Sequence, residues 1–390
     1  MKILHLTYDY PDEINPNKTS AIKNIIDITD NNNNACCISL NRTDKFKKKS
    51  IYRNGNVLAL NTFGLPKGFF FMFTLFKSIK RVVSTRLDFE QFDMVHAHKL
   101  TFEGPIAYYL NRKFNIRYIV TIQQTDFKVL KHKPLMKGLY FKILKKAENI
   151  VLISPWMERQ LRKAFGSKRL ELLSHKLCSI PLVVERKCIS NGYDNGKFLC
   201  VFHMRDSYIK IKNIYRVLKA ISLLREAGVI INLDIAGDGP AKDRVNYMIN
   251  KLGVSDQVKM LGKVENGRIV NMMSEYQAFI LCSYPETFGM VYIEALSAGI
   301  PVIYSKDAGI DGFFDDMGIG MAVHHKSIEE ICFALNEINK NPLQFRENVR
   351  KLQESGYLKQ FSTQTVKQKY NSIYKEQLEK FSVVKHINII

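Results

Sequence analysis

The amino-acid sequence predicts an α/β protein with two domains, each built on a parallel sheet that helices cover on both faces. Three observations support this class. The chain has 390 residues, about the length of two ordinary domains. Its predicted strands are short apolar runs without polar alternation, as in sheets buried on both faces. Predicted helices separate many of these strands, and the same rhythm restarts after Gly196. We therefore expect two doubly wound, Rossmann-like domains that face a cleft.

In the first half, residues 2–7 predict a buried strand, and a polar loop then leads to a helix from Ala21. Further strands are predicted at 37–40, 57–60, 94–97, 118–122 and 150–153. Helices are predicted at 69–83, 102–111, 135–146 and 155–164.

In the second half, strands are predicted at 198–203, 230–235, 258–261, 278–281, 301–304 and 321–323. Helices are predicted at 213–227, 242–252, 266–274, 291–298 and 327–338. The segment 179–196 breaks both patterns and contains two Asn-Gly turn signals, so it is the predicted linker. The expected domains are 1–182 and 183–365, with a final helix, 366–390, that packs back on the first domain. Ligands are expected at the carboxyl ends of the strands.

Composition argues against secreted and membrane-spanning proteins. Hydrophobic residues make up 46% of the chain and charged residues 24%, as in a folded globular protein. The longest apolar run, 68–76, is far shorter than a membrane span, and the N-terminus lacks a secretory pattern. The seven cysteines form no Cys-x-x-Cys pair, so free thiols in a reducing cytoplasm are expected.

The net charge of +21 is concentrated in one half of the chain. Residues 1–180 carry 31 basic and 14 acidic residues, a net of +17, and the remainder carries only +4. This surplus indicates an acidic partner, which can be a nucleic acid, an anionic membrane or a phosphorylated substrate. A general preference for lysine is the alternative, although it does not explain the nearly balanced second half.

Two carboxylates, Glu286 and Glu294, lie eight residues apart around a glycine-containing turn. If a helix starts directly after the turn, the second carboxylate lies about two turns along it. A helix N-terminus offers unpaired N–H groups to a diphosphate, and carboxylates accept hydrogen bonds from sugar hydroxyls. The pattern predicts a nucleotide-sugar site, although two acids at this spacing also occur in ordinary strand–turn–helix units.

The motif Glu286-x7-Glu294, with Phe288-Gly289 inside it, resembles the signature of retaining glycosyltransferases of family 4. The segments 235–240, 261–264 and 299–302 resemble further family segments in the same order, and 95–98 and 121–126 match more loosely. The resemblance implies a two-domain GT-B fold that uses a nucleotide-diphosphate sugar and retains the anomeric configuration.

The resemblance also implies roles for individual residues. Glu286 is expected to bind hydroxyls of the donor sugar, and Arg205 with Lys212 to neutralise the diphosphate. Lys210 is the alternative to Lys212, which is preferred because Asn213 and a helix follow it. His98 is expected to face the donor from the first domain, although a buried or surface histidine is the simpler alternative. The other implied donor-binding residues are Glu294, which would hold the ribose, and Phe288, Gly289, Met290, Gly237, Val264 and Asp126.

Three departures from the family pattern affect selectivity. The Gly-Gly of the first loop is replaced by a segment that contains Thr19 and Ser20, which are candidate acceptor-site residues. Met204 replaces a glycine before Arg205, and Gln123-Gln124 replaces His-Gly. No Asp-x-Asp and no cluster with metal-ligand spacing occurs, so no metal or other cofactor is expected.

Two basic amphipathic helices are predicted in the first half, at 69–83 and 135–146. Such helices can lie on an anionic bilayer, although each can equally pack on its own sheet. Five phenylalanines between 69 and 76 exceed what one buried face needs. Phe70, Phe73 and Lys77 are therefore the predicted acceptor or membrane contacts.

These observations predict a hexosyltransferase on the cytoplasmic face of the membrane. It would transfer a hexose or N-acetylhexosamine, with a UDP-sugar as the first guess, to a lipid-linked saccharide. The product would be a surface polysaccharide such as O-antigen, capsule or exopolysaccharide. A basic nucleic-acid-binding protein is the rival, but no such signature occurs. A nucleotide-sugar epimerase of similar shape is a second rival.

Overall fold

The computed structural model describes residues 1–30, 34–43, 51–64, 71–184 and 194–387. The chain divides into two compact units. The N-terminal unit contains Met1–Ile153, Met157–Val183 and Thr363–Ile390, and the C-terminal unit contains Ser154–Trp156 and Val184–Ser362. The domain boundaries at 182/183 and 365/366 stay a sequence-based prediction beside this contact-based division.

The N-terminal unit is built on an eight-stranded sheet in the order β3-β4-β2-β1-β5-β6-β7-β8. The strands are β1 (Ile3–Thr7), β2 (Ala35–Thr43), β3 (Ile51–Asn54), β4 (Val57–Phe63), β5 (Met94–Ala97), β6 (Arg117–Ile122), β7 (Ile150–Leu152) and β8 (Leu177–Ser179). Neighbouring strands are parallel except for β3, which pairs antiparallel with β4. The first seven helices are α1 (Ala21–Thr29), α2 (Phe71–Val83), α3 (Glu103–Phe114), α4 (Gln124–His132), α5 (Lys137–Lys146), α6 (Trp156–Phe165) and α7 (Ser167–Glu171).

The C-terminal unit is built on a six-stranded, all-parallel sheet in the order β11-β10-β9-β12-β13-β14. The strands are β9 (Lys197–Val201), β10 (Asn232–Ala236), β11 (Val258–Gly262), β12 (Ala278–Leu281), β13 (Val302–Ser305) and β14 (Gly320–Val323). The helices are α8 (Asp206–Lys212), α9 (Ile214–Glu226), α10 (Lys242–Lys251), α11 (Asn266–Met273), α12 (Met290–Ser297), α13 (Ile328–Lys340) and α14 (Pro342–Glu354).

The last helix, α15 (Thr363–Ile387), returns to the N-terminal unit. Val366, Tyr370 and Tyr374 on this helix are fully buried in one apolar cluster with Ile25 and Ile26 of α1. Burying large aromatic side chains removes much apolar surface from water, so α15 is part of that unit's core.

The two parallel-sheet α/β domains predicted from the sequence are confirmed. Every strand predicted in the second half is present, since each contains a short apolar run; β12 and β13 are fully buried, whereas β11 and β14 at the sheet edges are only partly buried. The strand β3 was not predicted because all four of its residues are exposed and it lies at the sheet edge. The helices α4, α8 and α14 were also not predicted, because each buries only two residues or fewer and so shows little apolar periodicity.

Candidate active site

A partly buried ion pair lies at the carboxyl edge of the C-terminal sheet. Lys212, the last residue of α8, places its Nζ 2.9 Å from Oε2 of Glu286, which lies in the loop between β12 and α12. The two side chains are 21% and 17% exposed. At this depth water screens the charges only partly, so the pair orients the carboxylate and keeps a cation beside it. The lysine preferred from the sequence is thus the one that contacts Glu286, whereas Lys210 is exposed.

The turn before α12 requires glycine. Gly289 caps the helix with φ of +72°, and an added Cβ would lie 2.5 Å from the ring of Tyr292. Phe288 is buried and packs edge-to-face against Phe313, and this packing anchors the turn in the core of the unit. Met290 is the first residue of α12, so the backbone N–H groups of the first turn begin there, and among them that of Tyr292 already donates to the Gly289 carbonyl at 3.0 Å. These groups favour an anion such as a diphosphate.

The position of Glu294 differs from the expectation. Because α12 begins at Met290 and not directly after Glu286, Glu294 lies about one turn into the helix, not two. Its side chain is partly buried. A ribose contact for Glu294 stays a prediction.

Gly237 and Val264 line one open cavity of about 520 Å³, together with Phe202, His203 and Lys263 among others. Gly237 has φ of +147°, and an added Cβ would lie 1.9 Å from the carbonyl oxygen of Phe202. Only glycine therefore fits where the loop after β10 crosses the end of β9. The structure brings these two predicted donor-binding residues together at a size that suits a nucleoside base.

Arg205 lies at the opposite end of α8 from Lys212. It is the N-terminal cap residue of that seven-residue helix, and its exposed guanidinium lies 5.9 Å from the Tyr208 ring centroid. The helix separates the two cationic residues by about 10 Å along its axis. A diphosphate contact for Arg205 stays a prediction.

A second set of contacts beside Lys212 was not predicted from the sequence. Asn213 has φ of +59° between α8 and α9, and its Nδ2 donates to the carbonyl of His325 at 2.7 Å. The His325 ring stacks on Tyr284 at 3.7 Å with an interplanar angle of 4°. Burial and the nearby cations lower the pKa of His325 to about 4, so the ring is neutral at pH 7.

In the N-terminal unit, His98 is fully buried. Its Nε2 lies 3.0 Å from Nδ1 of His5, and its ring stacks on His96 at 3.9 Å. Burial is the main cause that lowers the pKa of all three histidines, and for His5 the value is about 3. The neutral rings thus form a buried network, which differs from the donor-facing histidine expected from the sequence. A catalytic role for His98 stays a prediction.

These histidines also form a group of possible metal ligands that their spacing along the sequence did not reveal. One ligand atom from each of His5, His96 and His98 lies within 4.8 Å of the others. However, His96 already bonds Tyr374 Oη and Thr121 Oγ1, each at 2.8 Å. The set therefore fits a hydrogen-bonded core better than a metal centre.

Asp126 is fully buried and has a structural environment. It accepts hydrogen bonds from the backbone N–H groups of Leu100, Thr101 and Gln123 and from the Thr101 hydroxyl at 2.6 Å. Together with Gln123 it forms the capping box of α4. These internal bonds use both carboxylate oxygens, so the structure favours a positioning role over the predicted donor contact.

The first-loop candidates are exposed. Thr19 Oγ1 accepts a 3.3 Å hydrogen bond from the Ala21 N–H, whereas Ser20 makes no side-chain cap to α1. The Thr19 side chain thus bonds the first N–H group of α1. An acceptor contact for either residue stays a prediction.

The helix α2 has one buried face and one exposed apolar face. Phe71 packs edge-on against Phe102 and is buried, although the sequence grouped it with the surface aromatics. Met72, Phe73 and Phe76 are 58%, 46% and 52% exposed. Phe70 lies outside the described residues.

Two lysines accompany this exposed face. Lys77 Nζ lies 5.1 Å from the Phe73 ring centroid, and Lys80 Nζ lies 4.5 Å from that of Phe76.

Among the helices of the described chain, none is long and apolar enough to cross a membrane.

Two sequence families match the chain. The family described as Glycosyltransferase Family 4 matches residues 36–175, and the family described as Glycosyl transferases group 1 matches residues 192–357. Each matched range falls largely within one of the two units, and the second range includes Lys212, Glu286 and Glu294.

Individual proteins agree with these families. An uncharacterized glycosyltransferase of Methanocaldococcus jannaschii is 23% identical over 82% of this chain and 85% of its own length. The alpha-monoglucosyldiacylglycerol synthase of Acholeplasma laidlawii is 28% identical over 39% of this chain and 37% of its own length. The crystal structure of Anabaena HepE in complex with UDP-glucose has a TM-score of 0.65 at 15% identity and covers 96% of this chain and all of that one.

Proposed function

The chain is a family-4-like glycosyltransferase with the GT-B fold, and we propose that it transfers a hexosyl unit from a UDP-sugar to a lipid-linked saccharide. The observation that carries the donor half of this proposal is the Lys212–Glu286 pair at the edge of the C-terminal sheet. The exposed face of α2 carries the acceptor half.

Three features of the C-terminal unit support the proposed position of the donor. The cavity beside Gly237 and Val264 takes the base, and the free N–H groups at the start of α12 take the diphosphate. Glu286 accepts hydrogen bonds from the sugar hydroxyls, while Lys212 holds its carboxylate and adds positive charge near the phosphates. The solved structure of HepE with UDP-glucose supports the choice of UDP.

The transfer is proposed to proceed on one face of the sugar. The bond between the anomeric carbon and the diphosphate oxygen breaks, and the acceptor oxygen bonds to the same face of that carbon. The acceptor hydroxyl proton passes to the departing diphosphate oxygen. Lys212, Arg205 and the α12 N-terminus stabilise the negative charge that grows on this group, without a divalent cation.

The proposed contact with a lipid acceptor rests on the apolar face of α2 that is exposed to solvent. Phe73 and Phe76 are about half exposed on one helix, and lysines lie beside both rings. Aromatic side chains flanked by cations are typical of helices that lie in an anionic bilayer surface. The excess of basic residues in 1–180 adds long-range attraction to such a surface. The match to a diacylglycerol-modifying synthase is consistent with a lipid acceptor.

A panel of nucleotide sugars tests the donor. Each is incubated with the enzyme and EDTA, and thermal stabilisation and slow hydrolysis are measured. We expect a UDP-sugar to give the largest response, and activity to survive the chelator. The best donor is then offered to lipid-linked saccharides in anionic vesicles, and the anomeric configuration of the product is read by NMR. Transfer only to water-soluble acceptors, or an inverted product, would contradict the proposal.

A further inference from the structure

The backbone of Gly309 links Glu286 to a distant part of the sequence. The Gly309 N–H donates to the Glu286 carbonyl at 3.0 Å. The Gly309 carbonyl in turn accepts from Ser154 Oγ at 2.8 Å and from Trp156 Nε1 at 3.1 Å. A carbonyl oxygen has two lone pairs, so these two donors saturate it.

Gly309 and the two residues that donate to its carbonyl are buried. Ser154 and Trp156 are 0% and 2% exposed, and Gly309 is also buried. A buried carbonyl that loses its hydrogen-bond donors is left unsatisfied, because water does not reach it, and this costs free energy. The two side chains therefore fix the position of the Gly309 peptide tightly.

The Gly309 backbone is closely packed against the residues around Glu286. Its φ is +59°, and an added Cβ would lie 3.2 Å from the Tyr292 ring and 3.6 Å from Glu286 Cγ. Tyr292 is itself fixed because its hydroxyl donates to the Leu281 carbonyl. Gly309 thus packs directly beneath the Glu286 side chain and bonds its backbone.

We propose that Ser154 and Trp156 are positioning residues that hold Glu286, through Gly309, in the geometry that receives the donor sugar. Lys212 orients the carboxylate from one side, and the Gly309 peptide fixes the main chain from the other. Neither Ser154 nor Trp156 touches the substrate in this role. The inference rests on the proposed donor role of Glu286.

A double-mutant cycle tests the inference with UDP-glucose, or with the tighter-binding donor of the panel. Ser154→Ala and Trp156→Phe each remove one donor and keep most of the side-chain volume. We expect each to lower kcat/KM for the donor about tenfold, while inhibition by UDP, which has no sugar, changes less than twofold. In a Glu286→Gln background the same substitutions should lower the residual rate less than twofold, since the group they position is already disabled.

Tyr276→Phe is the matched control, because it removes a buried aromatic donor that bonds Asp234 elsewhere in the same unit. Its effect should be the same in both backgrounds. Equal effects of Ser154→Ala in both backgrounds would overturn the inference and indicate a general loss of stability. If Glu286→Gln alone leaves kcat/KM unchanged, the proposed donor site fails instead.

Fluorescence gives an independent readout, because Trp156 is the only tryptophan of the chain. If the indole is coupled to the sugar-binding loop, saturation with UDP-glucose should change its emission more than saturation with UDP. Identical responses to the two ligands would contradict the coupling.

Discussion

The two units differ in how far they bury the titratable residues at the carboxyl edges of their sheets. In the C-terminal unit, Glu286 and Lys212 remain about one-fifth exposed at the carboxyl edge of the sheet. In the N-terminal unit, His98 and Asp126, at the corresponding edge, are fully buried and internally hydrogen-bonded. In the N-terminal unit, the exposed face of α2 is therefore a better candidate for ligand contacts than the buried motif residues.

The largest expected effect is at Glu286. Glu286→Ala removes the acceptor of the sugar hydrogen bonds and leaves Lys212 unpaired, so transfer should fall about 1000-fold. Circular dichroism should show an intact fold, since the side chain is partly exposed. Steady-state transfer of the best donor measures the effect, and wild-type rates would remove the donor site from the account.

The second largest effect is expected at Lys212. Lys212→Met keeps the aliphatic chain but removes the charge beside Glu286 and the diphosphate, so kcat/KM should fall about 100-fold. Lys210→Met on the same helix is the control, because that side chain is exposed. An equal loss in both variants would indicate that general positive charge, and not the ion pair, matters.

The buried histidines should make the N-terminal unit sensitive to acid. The unfolded chain binds protons near pH 6.5, whereas burial lowers the folded-state pKa of His5 to about 3. The stabilisation from keeping His5 neutral is therefore fully present above pH 6.5 and is lost as the pH falls towards 3, by up to about 1.4 kcal/mol per pH unit.

Chemical denaturation at pH 7.5 and pH 5.5 measures this loss. His5→Gln should show a smaller loss between the two pH values than the wild type. The exposed His175 serves as the control, since His175→Gln should leave the loss unchanged. Equal losses in wild type and His5→Gln would contradict the account.

A smaller effect is expected on α2. Phe76→Ser removes an apolar ring that is 52% exposed, so binding to anionic vesicles should weaken about tenfold. Rates with a water-soluble acceptor should not change. Phe333→Ser is the control, because Phe333 is 58% exposed in the other unit. Vesicle sedimentation gives the affinities, and equal weakening by both substitutions would argue against α2 as the membrane surface.

The sequence predicted the parts of the molecule that depend on local patterns. Buried strands and glycine turns are local, so the six strands of the C-terminal sheet and the turn at Gly289 were predicted correctly. The choice of Lys212 over Lys210 as the diphosphate ligand followed from the helix start beside Asn213 and stays a prediction; the structure shows that Lys212 contacts Glu286.

Other features depend on long-range packing and left no local signal. The burial of His98 follows from its contacts with His5, 93 positions away. The Gly309 carbonyl meets Trp156 across 153 positions. Such contacts form only when the sheets assemble, so a linear pattern could not show them.

Hydrogen exchange measured by mass spectrometry tests the comparison of the two units most directly. The enzyme is labelled alone, with UDP-glucose or the best donor, and with anionic vesicles. We expect the donor to slow hydrogen exchange in the peptides around Lys212 and 284–290 of the C-terminal unit. Vesicles should instead slow exchange in α2 of the N-terminal unit. Donor protection confined to the N-terminal unit, or vesicle protection confined to the C-terminal unit, would contradict this expectation.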